Sequence, residues 1–185
     1  MRDNLTKPQW NPLYTFSSDK NKYPFHDLME ADLLAEKFFH TANDPEQLKI
    51  CVKNDKRIYK KFPECENIIK YKGKIIGETF ILPCVSSVMK SFLKGTMSEA
   101  QLFEYVMKNV NYENFDCIYL CLANIDAQHH GKWLATNGWL KTILPLIKKN
   151  PTITLFGWCF SKEGDNLLKS TAKILGLPLL LRKHI

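Results

Sequence analysis

The residues most able to do chemistry stand in "LCLANIDAQHHGKWLATNGWL", residues 120 to 140, where an apolar run gives way to two histidines, a glycine, a lysine and a tryptophan. Two chemistries compete there. Zinc would draw on His129 and His130 with Cys117 and Cys121. Adjacent histidines of an extended segment point to opposite faces, however, and no further Cys or His stands at ligand spacing to close four positions, so no metal site is assigned. An anion asks less of the side chains. A helix N-terminus offers unpaired backbone N–H groups and the positive end of the dipole, so a loop that lets phosphate approach makes a site by itself. Gly131 permits that approach, and His130 and Lys132 add donors or positive charge. Neither a Walker A sequence nor the G-x-G-x-x-G dinucleotide pattern is present.

The flanking segments must hold this loop. "FDCIYLCLANI" before it is near-continuously apolar and rich in aromatic and branched residues, which predicts a central strand buried on both faces. Trp133 to Lys149 after it predicts a largely buried helix with a narrow polar strip from Asn137, Lys141 and Lys148. "TITLFGWCF" predicts another central strand and Glu163 to Leu175 an amphipathic helix, with Gly176 as its C-cap and Pro178 as the stop. "LPLLLRK" follows as a short last strand.

Upstream, residues 1 to 26 carry Pro8, Pro12 and Pro24 and read as an irregular lead-in with a short strand near Tyr14. Asp27 with Glu30 resembles a capping pair opening a helix to about His40, and Asp44, Pro45 and Gln47 signal a second helix running to about Lys61, with a turn near Asn54 as an option. At 100° per residue, Cys51, Ile58 and Phe62 fall within about 40° of one another, while Lys53, Lys56, Arg57, Lys60 and Lys61 gather opposite, as on a solvated face. Runs at Asn67 to Tyr71 and Lys74 to Leu82, joined by Lys72-Gly73, predict a hairpin ended by Pro83. Ser98 with Gln101 is a capping box opening a helix to Asn109. The order predicts an α/β protein with a mixed sheet, antiparallel in its first half, and a crossover helix between the two central strands.

The 185 residues, 45% hydrophobic and 24% charged, suit one folded domain, 1–185. Neither a secretory signal nor an apolar run of about 20 residues is present, so a cytoplasmic chain without a membrane partner is expected. Six scattered cysteines without a C-x-x-C pair agree with a reduced setting. The net charge of +7 favours an anionic partner.

The segment "IDAQHHGKWLA" resembles the acyl-CoA pyrophosphate loop of the GNAT superfamily of N-acetyltransferases, whose pattern is Arg or Gln, two residues, Gly, one residue, then Gly or Ala. Laid on without gaps, His130 takes the Arg/Gln position, Gly131 and Lys132 the next two, Trp133 the first glycine, Leu134 the spacer and Ala135 the final Gly or Ala. His130 and Trp133 depart from the pattern. "FGWCFSKEGDNLLKSTAKILGLPL" resembles the superfamily's next strand and helix, and the hairpin "IIKYKGKIIGETFIL" its earlier strand pair, so the likeness spans about residues 66 to 182.

The resemblance implies a GNAT-like mixed, mostly antiparallel central sheet flanked by helices, with splayed parallel central strands. Acetyl-CoA would lie in that cleft as acyl donor, its thioester carbonyl held by backbone N–H around Ala123, Asn124 and Ile125 and its pyrophosphate by His130, Gly131, Lys132, Trp133, Leu134 and Ala135. A primary amine would attack the thioester, and since an alkyl amine has a pKa of roughly 10 it needs a base. Counting places Cys117, with Asp116 beside it, where many relatives carry a glutamate, and Ala172 where many carry a tyrosine. No catalytic residue is assigned; Glu78, Asp126 and Ser161 stay open as groups acting through water. The expected function is transfer of an acetyl group to an amine of an unidentified acceptor. The alternatives are a non-catalytic GNAT-like module for acyl-CoA or a protein partner, and a nucleic-acid binder, which the basic charge alone suggests. A homodimer stays open.

Overall fold

The structure is a computed structural model and describes residues 11–20 and 23–183. Among these, six strands form one sheet in chain order: β1 (Tyr14–Phe16), β2 (Glu66–Tyr71), β3 (Lys74–Cys84), β4 (Cys117–Ile125), β5 (Thr154–Trp158) and β6 (Leu179–Arg182). The first four pair antiparallel; β4–β5 and β5–β6 are parallel. This is the mixed sheet with a parallel central pair that the sequence predicts. The crossover from β4 to β5 is the helix α5 (Leu134–Lys149), and β5 reaches β6 through α6 (Lys162–Leu175).

Before β2 lie α1 (Phe25–Phe39) and α2 (Val52–Lys61); between β3 and β4 lie α3 (Ser86–Leu93) and α4 (Glu99–Asn109). α1 and α2 cover one face of the hairpin: Leu28 and Ala31 pack on Ile68 and Ile75. α5 covers the other, where Leu134 joins Phe16, Ile69 and Ile76. Gly138 lets α5 approach β3, because a Cβ there would stand 2.5 Å from the Thr79 hydroxyl. The main core gathers Phe92, Leu102, Phe103, Tyr119, Ile143 and Phe156 around β4 and β5.

Several local expectations give way to tertiary contacts. α1 begins at Phe25, and Asp27 is no cap: it is buried and pairs with Lys70 at 2.6 Å. Residues 44 to 51 are not helical. Asp44 takes hydrogen bonds from Glu46 N and Gln47 Nε2, and the Leu48 amide donates to Glu99, so the strong start signal makes a turn docked on α4. Cys51 is accordingly exposed, outside the apolar stripe assigned to it. β3 runs through Pro83, which sits opposite Ile118, and α3 is a helix the sequence reading left unassigned. Asn137 of the expected polar strip is buried.

The capping box of α4 is present with both hydrogen bonds. In the basic run, Lys53, Lys56 and Lys60 are exposed, while Arg57 pairs with Glu104 and Lys61 donates to the last carbonyls of α4. No helix among the described residues is long and apolar enough to cross a membrane. The lead-in reading falls partly on residues 1–10, 21 and 22, outside the described residues.

Candidate functional site

β4 and β5 part company halfway along β4. They pair from Cys117 opposite Thr154 to Leu120 opposite Gly157, whereas β4 follows β3 as far as Ile125 opposite Gly77. At the parting point Phe80 faces Leu122 and Ile81 faces Leu120, so Cys121 is an extra residue, a bulge that bends the strand. From Cys121 to Ile125 the β5 side of β4 carries no strand. Trp139 Nε1 donates to the Leu122 carbonyl at 3.2 Å there. The opening is a cleft of about 860 Å³.

Ala123, Asn124, Ile125, His130, Gly131, Lys132, Trp133, Leu134 and Ala135 all line this cleft, so the structure brings together the residues that the sequence singles out. The loop that carries them is tied down at each step. Asp126 accepts from Gln128 N, His130 Nε2 meets the Ile125 carbonyl at 2.8 Å, and Lys132 Nζ donates to the Tyr14 hydroxyl at 2.9 Å. His129 binds the same hydroxyl at 3.1 Å and leans on Tyr71. The two histidines thus anchor the loop to different strands, while Cys117 is buried at the opposite end of β4.

Trp133 departs from the loop pattern in chemistry but not in geometry. Its backbone has φ 59° and ψ 16°, the left-handed conformation that glycine adopts without strain. Gly131 also has a positive φ of 73°. A bulky residue is a true outlier there. The tryptophan ring, 59% exposed, leans into the cleft mouth rather than filling a core.

Beyond Trp133 the helix α5 starts with neither a side-chain cap nor an acidic residue in its first turn. α6 begins beside the same cleft, yet Ser161 accepts from Gly164 N at 3.0 Å and Glu163 and Asp165 occupy its first turn. Of these two helices, α5 is the one that presents an uncompensated positive end to an anion.

The inner wall carries the opposite charge. Asp32 from α1, Asp55 from α2 and Glu66 from β2 line the cleft, and Glu78 of β3 sits beside them, opposite Asn124 in the sheet register. Glu66 is 4% exposed and Glu78 0%. No donor reaches Glu66 Oε1, either Glu78 oxygen or Asp32 Oδ2. The hydrogens these oxygens can still gain are acid protons. Burial, then repulsion from Asp55, pushes Glu78 up to about 8. Burial and the charges of Glu78, Asp32 and Asp55 raise Glu66 well above the usual carboxylate range, so that in its neutral form it donates to Glu78. Burial and the charges of Glu78 and Asp55 push Asp32 up to about 9, and its acid form donates to Asp55, itself raised by burial.

Glu99, also on the cleft, is raised by burial but fully engaged: it accepts from Tyr119 Oη at 2.6 Å, Leu48 N at 2.7 Å and Cys121 Sγ at 3.6 Å.

Of the positions considered for catalysis, Cys117 and Asp116 lie away from the cleft, Asp116 accepting from the Ser86 amide and hydroxyl. Ala172 packs in the core. Asp126 and Ser161 are occupied as caps. Glu78 alone joins the acidic wall. The sequence reading missed Asp32, Asp55 and Glu66, although a signal existed. Asp55 lies about 20° from Phe62 around its helix and Asp32 about 40° from Leu28, so both acids interrupt apolar stripes.

Neither a family model nor a curated protein matches the chain. Among solved structures it is similar to the loading GNATL domain of CurA from Lyngbya majuscula, with 12% identity, 81% of this chain and 67% of that chain covered, and a TM-score of 0.45.

Proposed function

We propose that residues 1–185 form one acyl-CoA N-acyltransferase-like domain that transfers an acetyl group from acetyl-CoA to a primary amine. The observation that carries the reading is the coincidence, in one cleft, of the strand edge from Cys121 to Ile125 and the uncapped start of α5. Pyrophosphate would rest on the N–H groups of the loop and of Leu134 and Ala135, with Lys132 adding charge. The thioester carbonyl would accept from a backbone N–H between Ala123 and Ile125.

The neutral amine attacks the carbonyl carbon; the new C–N bond forms as the C–S bond breaks, and CoA leaves as thiolate. A thiol pKa of about 8.5 makes that departure tolerable without a general acid, which suits a chain whose last-helix position is Ala172. The ammonium proton leaves through water to the carboxyl wall, where Glu78, its carboxyl pushed up to about 8, is in its ionised form a stronger base than an ordinary glutamate. Asn124, Glu78's partner across the sheet, borders both the thioester edge and the wall.

Calorimetric titration with acetyl-CoA tests the donor site: a micromolar Kd is expected, and no binding in that range removes the reading. Release of free thiol in the presence of an amine panel tests the reaction. The absence of an acid at Ala172 favours the second reading, a module that binds acyl-CoA without turning it over; binding with no thiol release from any amine would establish it.

A further inference from the structure

We propose that the inner wall of the cleft is an acceptor subsite for a linear aliphatic diamine or polyamine, whose distal ammonium sits against Asp32, Asp55 and Glu66 while the proximal amine meets the thioester. The inference rests on the donor reading above and adds the class of acceptor. A buried carboxyl oxygen without a donor or counter-charge is costly, and Asp32, Glu66 and Glu78, on three elements of one wall, each carry at least one. None of the ion pairs among the described residues includes Asp32, Asp55, Glu66 or Glu78. Glu66 is more than nine-tenths buried and leaves Oε1 without a partner, so acceptor capacity stands vacant in a residue that borders the space an occupant enters.

The occupant's chemistry follows from three features. It must be cationic and rich in donors; an ammonium brings three N–H groups and a full charge. It is organic, because among the described residues no three His, Cys, Asp or Glu side chains gather as metal ligands. It is slender and partly apolar, because Leu28, Ile58, Phe80, Leu120 and Leu122 share the lining with the acids. A methylene chain between two ammonium groups meets all three. A lysine side chain brings one ammonium only, and that one would have to lose its proton to react.

The test is calorimetric titration of the full chain with spermidine, n-hexylamine and a short peptide bearing one lysine, each without acetyl-CoA. Spermidine should bind at least tenfold more tightly than the other two. Asp55→Asn and Glu66→Gln should each weaken spermidine about tenfold, and Glu30→Gln, on the exposed side of α1, should leave it unchanged. The amide variants keep the side-chain shape and remove repulsion, so they should fold, and the rise in melting temperature that spermidine gives the wild type should shrink in both. Equal binding of hexylamine or peptide, or spermidine binding indifferent to Asp55 and Glu66, overturns the proposal. Because acetyl-CoA is absent, failure here leaves the donor site standing, and a protein that binds spermidine in this manner but not acetyl-CoA removes the donor reading instead.

Discussion

At the mouth of the cleft the polar groups are backbone amides, two imidazoles and the exposed Lys132 of the loop from His129 to Ala135, whereas at its inner wall they are side-chain carboxyls with no cation beside them. The mouth is built by local geometry: a strand end, a positive-φ turn and a helix start follow one another in the chain. The wall is assembled from α1, α2, β2 and β3, and among the described residues no ion pair reaches its four acids. On the proposed reading, an anion site made from backbone costs little stability, whereas a cation site made of buried acids lowers the stability of the empty protein.

The sharpest way to break both ends together is Gly77, which joins them. A Cβ at Gly77 would stand 2.0 Å from the Asn124 carbonyl, so β3 cannot keep its place beside β4 with a side chain there. Gly77→Ala should destabilise the fold by on the order of 3 kcal/mol, since relieving the clash means moving backbone. Thermal unfolding should show a loss of roughly 6 to 12 °C, and acetyl-CoA binding should weaken with it; an unchanged melting temperature would mean that the two strands are further apart than described.

Ala135→Pro separates the ends. Proline is tolerated in a helix's first turn, where its missing N–H has no helical partner, so the fold should hold while one phosphate donor disappears. Acetyl-CoA affinity should fall about tenfold, roughly 1.4 kcal/mol, with spermidine binding unaltered. His130→Ala, by contrast, removes only a tie to the Ile125 carbonyl and should cost acetyl-CoA less than the proline does. If His130→Ala costs more, side chains rather than backbone carry the site.

The wall predicts a pH signature. Glu78 at about 8 and Asp32 at about 9 are raised above their unfolded values near 4, so the folded protein holds protons that the unfolded chain has already lost. Stability from these groups is fully present below pH 4 and declines as pH rises through 8 and 9. Tyr23, Cys51, Cys65 and Cys121 also face these acids, and none of them supplies a positive charge at any pH. Melting temperature should therefore drop by on the order of 5 °C between pH 6 and pH 9. Glu66→Gln, whose amide donates to Glu78 without titrating, should raise the midpoint at pH 9 by about 3 °C and flatten the slope; a slope equal to wild type would place the titration elsewhere.

How far the sequence foretells each end follows the same division. The loop, β4, α5 and β5 were legible because their signals are contiguous: an apolar run, a glycine and a helix start within some twenty residues. The wall was not, because Asp32, Asp55 and Glu66 become neighbours only through packing, and each reads locally as an ordinary polar residue. Asp55 was further hidden in "KNDKRIYKK", where five basic residues drew the reading to the solvated face. Asp44 erred the other way: a strong local cap signal was overridden when Glu99 captured the Leu48 amide.

Trp133 offers the finest discrimination, because there pattern and conformation disagree. The loop pattern expects glycine, and the backbone takes the glycine conformation with a tryptophan in it. Left-handed backbone costs a bulky residue roughly 1 kcal/mol, partly matched by the extra unfolded-state entropy that glycine brings, about 0.5 to 1 kcal/mol. Trp133→Gly should therefore leave the melting temperature within about 2 °C of wild type, because the ring is 59% exposed and leaves no core cavity behind. Acetyl-CoA affinity then reports what the ring does. If the loop needs only its backbone, the variant binds as tightly as wild type or slightly better. A loss of tenfold or more would assign the indole a contact with the cofactor and move part of the mouth's work from backbone to side chain.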